Sequence, residues 1–276
     1  MLHLWIGRAG AGKTARVLET IKKNRTRRGQ ILIVPEHVSH EAEVALYHAL
    51  GDTASRNAEV LSLRNLSGRV LGEVGGLSDF TLDGGGKLLT MRMALQEVGS
   101  SLHVFNNPSR RAAFLEQLVA LVDELYAYEI PPQELYAQVQ DVPGQEGDKL
   151  RDVALLYAAY DARLRSGGRD ARSRVQKLRD ALPQASYLRG KDVYFDGFSY
   201  FNKTEEGILL TALTQAESVT VTLLGDRSAT EIFQNALRQR QRLVRMAQQT
   251  GCRCTMEFME PAGNTPLAHL EKYFFV

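Results

Sequence analysis

Eight consecutive residues near the amino terminus, Gly7-Arg8-Ala9-Gly10-Ala11-Gly12-Lys13-Thr14, have the types and spacing of a phosphate-binding loop. Its glycines let the backbone wrap close to phosphate oxygens, so that successive N–H groups and a helix start point at negative charge. A lysine after the last glycine reaches β- and γ-phosphates, and the neighbouring hydroxyl is a ligand for Mg²⁺. The chemistry expected is therefore the binding of ATP with Mg²⁺. Such a loop also needs an acidic residue at the carboxyl end of a neighbouring strand, where ligand sites of parallel sheets lie. Asp196, in Val193-Tyr194-Phe195-Asp196-Gly197-Phe198, is the candidate; the competing reading is an aspartate that merely opens a turn.

The loop needs a strand before it and a helix after it, and the sequence supplies both. Leu2–Ile6 is short, apolar and bounded by glycine, as a buried strand is. Lys13 to about Arg25 reads as a helix with Val17, Leu18 and Ile21 on one face, ended by Gly29. Ile31–Val34 reads as a second strand stopped by Pro35, Glu36–Leu50 as a helix, and Glu59–Leu63 as a third strand before a helix through Val70 and Leu71. Alternation of this kind implies parallel pairing with helices on both faces. From Gly84 to Pro183 the pattern is helical, with stripes over Phe114–Tyr128 and Leu155–Tyr160, a run opening near Pro108, and connections expected at Val142–Gly147 and Ser166–Gly168. The α/β pattern then returns: a strand at Asp192–Asp196, a helix from Thr204 (its expected cap) to Ala216, and a strand at Ser218–Leu224. A long basic helix, Ala229–Gln249, and a last strand, Cys252–Phe258, complete the reading. The fold class expected is α/β, a P-loop NTPase parallel sheet with an all-helical insertion: residues 1–83 and 184–276 form the sheet domain and 84–183 the insertion.

Bulk properties narrow the class. The 276 residues hold no apolar run of the roughly 18–20 residues that a membrane span needs, and the first residues lack the order of a signal peptide. The expectation is a cytoplasmic protein with no membrane partner. A formal net charge of +2 argues neither for nor against nucleic acid. Cys252 and Cys254 fit a reducing compartment, and two thiols do not make a four-ligand metal site. His37 and His40, with Glu41 adjacent, lack a second pair at ligand spacing, so no protein metal site is expected. The basic run Lys22–Arg28 suits a helix end, where the macrodipole favours cations.

These motifs together resemble AddB, the second subunit of bacterial AddAB helicase–nucleases, over its amino-terminal part. The resemblance is carried by Gly7–Thr14, Leu32–Glu36, Val60–Ser62 with Leu66 and Arg69–Leu71, Leu155–Tyr157 with Tyr160, Val193–Phe198, and Pro266–Glu271. It implies a RecA-like, superfamily 1 helicase-like domain carrying an inserted helical subdomain. It also implies an AddA-like partner subunit, work on single- and double-stranded DNA ends, and a role in double-strand break repair by recombination. Family members are several times longer, and their nuclease and iron–sulfur cluster belong to the carboxyl-terminal part; no cluster is expected here. The family's single-strand-contacting surface maps onto His37, Ser39, Arg64, Asn65 and Phe198. His37 departs from a usual glutamine, Leu63 and Gly68 from usual aromatics, and Asn65 from a usual arginine, which weakens any case for sequence-specific reading. Gly197 stands where a helicase motor carries the glutamate that activates water. A positioned base contributes about 10²–10⁴ in rate, so ATP binding with little or no turnover is expected, and no catalytic residue is assigned. Two other classes stay open. A small-molecule kinase would recruit Arg163, Arg165, Arg169, Arg172 and Arg174 to its lid, although Asp161, Asp170 and Asp180 sit among them. A non-catalytic scaffold would keep the loop as a vestige.

Overall fold

The computed structural model describes residues 1–24, 29–51, 54–76, 82–106, 112–166, 174–227 and 233–260. They divide into two compact units. The first comprises Met1–Val74, Ala181–Phe201 and the residues from Glu205 on; the second comprises Gly75–Asp180 with Asn202–Thr204.

The first unit is built on six strands: β1 (Leu2–Gly7), β2 (Gln30–Ile33), β3 (Ala58–Leu61), β4 (Asp192–Phe195), β5 (Ser218–Leu224) and β6 (Cys254–Met259). All pairs are parallel, in the order β3-β2-β4-β5-β1-β6. Parallel sheets need cover on both faces, and this sequence provides apolar residues for both. Ile31 and Ile33 alternate with Leu32 and Val34 along one strand, yet all four are at most 2% exposed. Leu32 and Val34 share a core with Trp5, Val60 and Tyr194, together with Val17 and Ile21 of α1 (Lys13–Lys23) and Leu46 of α2 (Ser39–Leu50).

Registers align the carboxyl ends at one edge. Gly7 lies opposite both Leu224 and Met259, and Ile33 opposite both Leu61 and Phe195. Every connection leaving that edge is therefore a place where side chains from different strands can meet.

Several boundaries differ from expectation. The first helix ends at Lys23, ahead of Gly29, where the buried Gln30 amide donates to the carbonyls of Ile21 and Asn24, each at 3.2 Å. Glu36–Val38 forms a turn of 3-10 helix before α2. A short helix, α3 (Ala54–Asn57), precedes β3. Leu63 is the first residue of α4 (Leu63–Val74) rather than the end of a strand, because Ser62 Oγ accepts from Asn65 N–H at 3.2 Å and starts the helix there.

The second unit contains α5 (Gly84–Val98), α6 (Ala112–Ala127), α7 (Pro132–Val139), α8 (Gly144–Ser166) and α9 (Arg174–Ala181, whose last residue belongs to the first unit). The connection expected at Val142–Gly147 is shorter, since α8 already starts at Gly144. The core joins Met91, Leu102, Leu115, Leu118, Val122 and Leu156 to Tyr157 and Tyr160. Two phenols of this core have partners: Tyr157 OH donates to Ile130 O at 2.9 Å and Tyr126 OH to Asp161 at 2.7 Å, and burial pushes both upward in pKa. Asp152, 1% exposed, accepts from the backbone N–H groups of His103, Val104 and Phe105 at 2.8–2.9 Å.

Two further helices are α10 (Lys203–Gln215) and α11 (Gln234–Gln249). Thr204 is not the cap of α10 but lies inside it, its hydroxyl donating to Ala127 O at 3.1 Å. Among the described residues no helix is long and apolar enough to cross a membrane. Of the sequence reading, Arg25–Arg28, Pro108, the first residues of the expected basic helix (229–232) and Pro266–Glu271 lie outside the described residues.

Candidate nucleotide and nucleic-acid site

Residues 8–12 join β1 to α1 at the carboxyl edge of the sheet. Gly12 precedes the helix with φ 76° and ψ 17°, a left-handed conformation open to glycine, and no side chain caps the helix start. The first turn of α1 also lacks acidic residues, so nothing negative competes there for an incoming anion. Lys13 Nζ donates to the carbonyl oxygens of Gly7 and Arg8, both at 2.7 Å, which holds the ammonium inside the concavity of the loop. Burial pushes the Lys13 ammonium down in pKa, and the charge of Asp196 opposes that shift. Thr14 is exposed beside it, and Ala9 and Gly10 are exposed, with Ala11 buried beneath.

Arg8 leaves the loop sideways. Its guanidinium donates to Asp226 Oδ2 from Nε at 3.2 Å and Nη2 at 2.7 Å, and lies 5.8 Å from the Phe233 ring centroid. One turn into α1, Arg16 pairs with Glu257 through two hydrogen bonds of 2.5 and 2.6 Å and covers the Trp5 ring at 4.7 Å. The loop is thus tied to β5's end on one side, and its helix to β6 on the other.

Asp196 follows β4 and is 5% exposed. Its backbone N–H donates to Ile33 O at 3.0 Å, and its Oδ1 accepts from Thr222 of β5 at 2.5 Å. Strands β1 and β4 both run parallel to β5, which lies between them, so Asp196 and the loop after β1 leave the sheet at the same end. Gly197 has φ 80°, a conformation that side chains rarely adopt, and a β-carbon there would lie 3.5 Å from Pro35 Cδ. Its lack of a side chain therefore suits the turn itself.

The nucleic-acid candidates follow β2, β3 and β4 along the same edge. His37 is exposed after β2; Ser39 opens α2 with its hydroxyl donating to Glu36 O at 3.0 Å. Arg64 and Asn65 are exposed in the first turn of α4. Phe198 is 9% exposed, its ring stacked on Phe201 at 4.9 Å and tilted against Phe195 at 6.1 Å. Three strand spacings of about 4.8 Å, roughly 14 Å in all, separate β1 from β2 along the sheet.

Other candidates are placed as follows. Arg163 pairs with Glu97 at 2.7 Å and Arg165 with Asp161 at 2.9 Å; Arg174 is exposed at the start of α9, and Arg169 and Arg172 lie outside the described residues. Cys252 and Cys254 are free thiols. No group of three or more His, Cys, Asp or Glu among the described residues could hold a metal ion by itself. Sequence reasoning missed Thr222 and Asp226. The order of strands, which places β5 between β1 and β4, is not written in local pattern; Gly225-Asp226 after a strand was the one visible signal.

The chain matches the family model described as ADDB, N-terminal, over residues 4–271. It is similar to the B-type subunit of the ATP-dependent helicase/deoxyribonuclease of Pelotomaculum thermopropionicum, 34% identical over 98% of this chain and 25% of that protein. Proteins of the same name from Moorella thermoacetica and Geobacillus thermodenitrificans are each 32% identical. The alignments cover 99% and 82% of this chain and 26% and 20% of those proteins. The chain thus spans about a quarter or less of the length of these relatives.

Proposed function

This chain belongs to the ADDB amino-terminal family, and from that premise we propose that it is the P-loop, RecA-like helicase domain of a helicase–nuclease subunit that binds ATP and Mg²⁺. On this reading the domain is formed by residues 1–83 and 184–276, with 84–183 as a helical insertion. The observation that carries the reading is Lys13 Nζ held 2.7 Å from the Gly7 and Arg8 carbonyls, in a loop that leaves the sheet at the same end as Asp196. Gly7–Thr14 would hold the triphosphate, Lys13 its terminal phosphates, and Thr14 with Asp196 the metal and its water shell. The uncapped start of α1 and the left-handed Gly12 fit that role. Bound Mg²⁺ would supply charge neutralisation to the polyphosphate.

With Gly197 after Asp196, the chain has no carboxylate there to activate water, so turnover by this chain alone is expected to be near background. The exposed residues His37, Arg64 and Asn65, with the partly buried Ser39, support a single-strand-contacting edge, where Arg64 would meet phosphate rather than a base. The relatives are named as a subunit, which supports an AddA-like partner and action on DNA ends in recombinational repair.

The test is an ATP titration with Mg²⁺ of the wild type and of Lys13→Ala. A loss of affinity of at least about tenfold is expected, as for removal of a charged hydrogen-bond partner. Equal binding by both proteins would discard the site and leave a vestigial loop. For DNA, Arg64→Ala should weaken single-strand binding and make it less dependent on salt. An unchanged salt slope would remove Arg64 from the interface. The kinase reading is not favoured, since Arg163 and Arg165 are already paired with carboxylates.

A further inference from the structure

The strand β5 separates β1, which feeds the phosphate loop, from β4, which ends at Asp196. Thr222 of β5 reaches toward the latter: its Oγ donates to Asp196 Oδ1 at 2.5 Å and accepts from Gly197 N–H at 3.4 Å. Both partners are interior, Thr222 being 3% and Asp196 5% exposed. A hydroxyl has one hydrogen; with it given to the carboxylate, Gly197 must be met by a lone pair. The hydroxyl therefore fixes two things at once, the orientation of the carboxylate and the turn that follows it.

Strand formation and packing do not explain that hydroxyl. Valine has the same shape, an equal or better preference for strands, and no polar atom to satisfy at a buried position. Val219, Val221 and Leu223 fill the opposite face of the strand, and Thr220, two residues away on the face of Thr222, is buried as well, at 4%. A polar side chain here matters for what it touches. Only one carboxylate oxygen is engaged by it, and the Asp196 charge acts on Lys13 in the phosphate loop.

We infer that Thr222 is a positioning residue: it orients Asp196 toward the metal of bound ATP·Mg²⁺ and so sets how much Mg²⁺ strengthens nucleotide binding. This rests on the nucleotide-site reading above, and deepens it by naming the residue through which the carboxylate acts.

The experiment compares ATP dissociation constants measured with Mg²⁺ and with EDTA for the wild type, Thr222→Val, Thr222→Ser and Asp196→Asn. Wild type is expected to bind ATP more tightly with Mg²⁺. Thr222→Val should lose that advantage by about tenfold while its affinity in EDTA stays within about twofold, and Thr222→Ser should regain it. In the Asp196→Asn background Thr222→Val should change the ratio no further, because the threonine acts only through that carboxylate. A valine variant with the wild-type ratio, a parallel loss in Mg²⁺ and EDTA, or a wild type with no Mg²⁺ advantage would each overturn the inference. If the valine variant does not fold, Thr222→Cys, a weaker donor, carries the same comparison, with a smaller loss expected and an unchanged ratio counting against the role. Failure of the nucleotide reading looks different: Lys13→Ala would then bind ATP as well as wild type does.

Discussion

At Gly197 the backbone conformation and the chemistry make the same demand. A glutamate there is what a water-activating site would need, but φ 80° costs a side-chain-bearing residue about 1–3 kcal/mol. Gly197→Glu should therefore lower the melting temperature without producing ATP turnover; a phosphate-release assay giving turnover well above the wild type would refute this. A second residue, His3, gives a pH signature. Burial pushes its imidazole below the usual value of about 6.5, the Met1 amino group adds to that, and Asp192 opposes it. Because the unfolded chain takes up the proton first, stability is complete above that usual value and falls as pH drops from about 7 toward the folded pKa. His3 Nδ1 lies 2.7 Å from Thr255 Oγ1, so His3→Gln keeps a polar partner and should flatten the decline in melting temperature as pH falls below about 7. An identical decline in both proteins would clear His3 of that role.

Among the elements, the strands and helices with clear periodicity were legible in sequence. Leu2–Ile6 and Ser218–Leu224 correspond to β1 and β5 to within a residue, and Ile31–Val34 to β2 shifted by one. What could not be read were a helix start set by a single hydrogen bond, as at Ser62, a helix that begins one residue before Thr204, and the order of strands. Ser62 is the clearest case: apolar neighbours suggest a strand through Leu63, yet one side-chain acceptor starts α4. Ser62→Ala should cost about 1 kcal/mol, measured by denaturant unfolding, and an unchanged midpoint would argue against the cap. In the helical unit the corresponding element is the carboxylate of Asp152 under three N–H groups. Asp152→Ala strands all three, for a loss on the order of 3 kcal/mol, while ATP affinity should stay within about twofold. Loss of nucleotide binding at a temperature where the variant remains folded would contradict that separation.

For the whole molecule, the arrangement of β1 matters most. It pairs with β5 and β6, so the Gly7–Thr14 loop grows from a strand whose two neighbours lie more than two hundred residues further along the sequence. Deleting the residues from Cys254 on would turn β1 into an edge with unpaired N–H and C=O groups, a template for aggregation. Light scattering should rise and soluble yield fall for that variant; a monodisperse product would show the edge to be harmless.

The same pairing sets a timetable for biosynthesis. Leu2 leaves the ribosome well ahead of its partner Val219, which follows only after more than two hundred further residues. At roughly 5–20 residues per second, β1 waits on the order of ten seconds or longer before it can join a sheet. The nascent chain can pair β2 with β3 well before then, whereas its first strand stays unmatched throughout. A ligand of the turn between β1 and α1 therefore cannot template the start of folding: β1 has no sheet to join until β5 has followed it out.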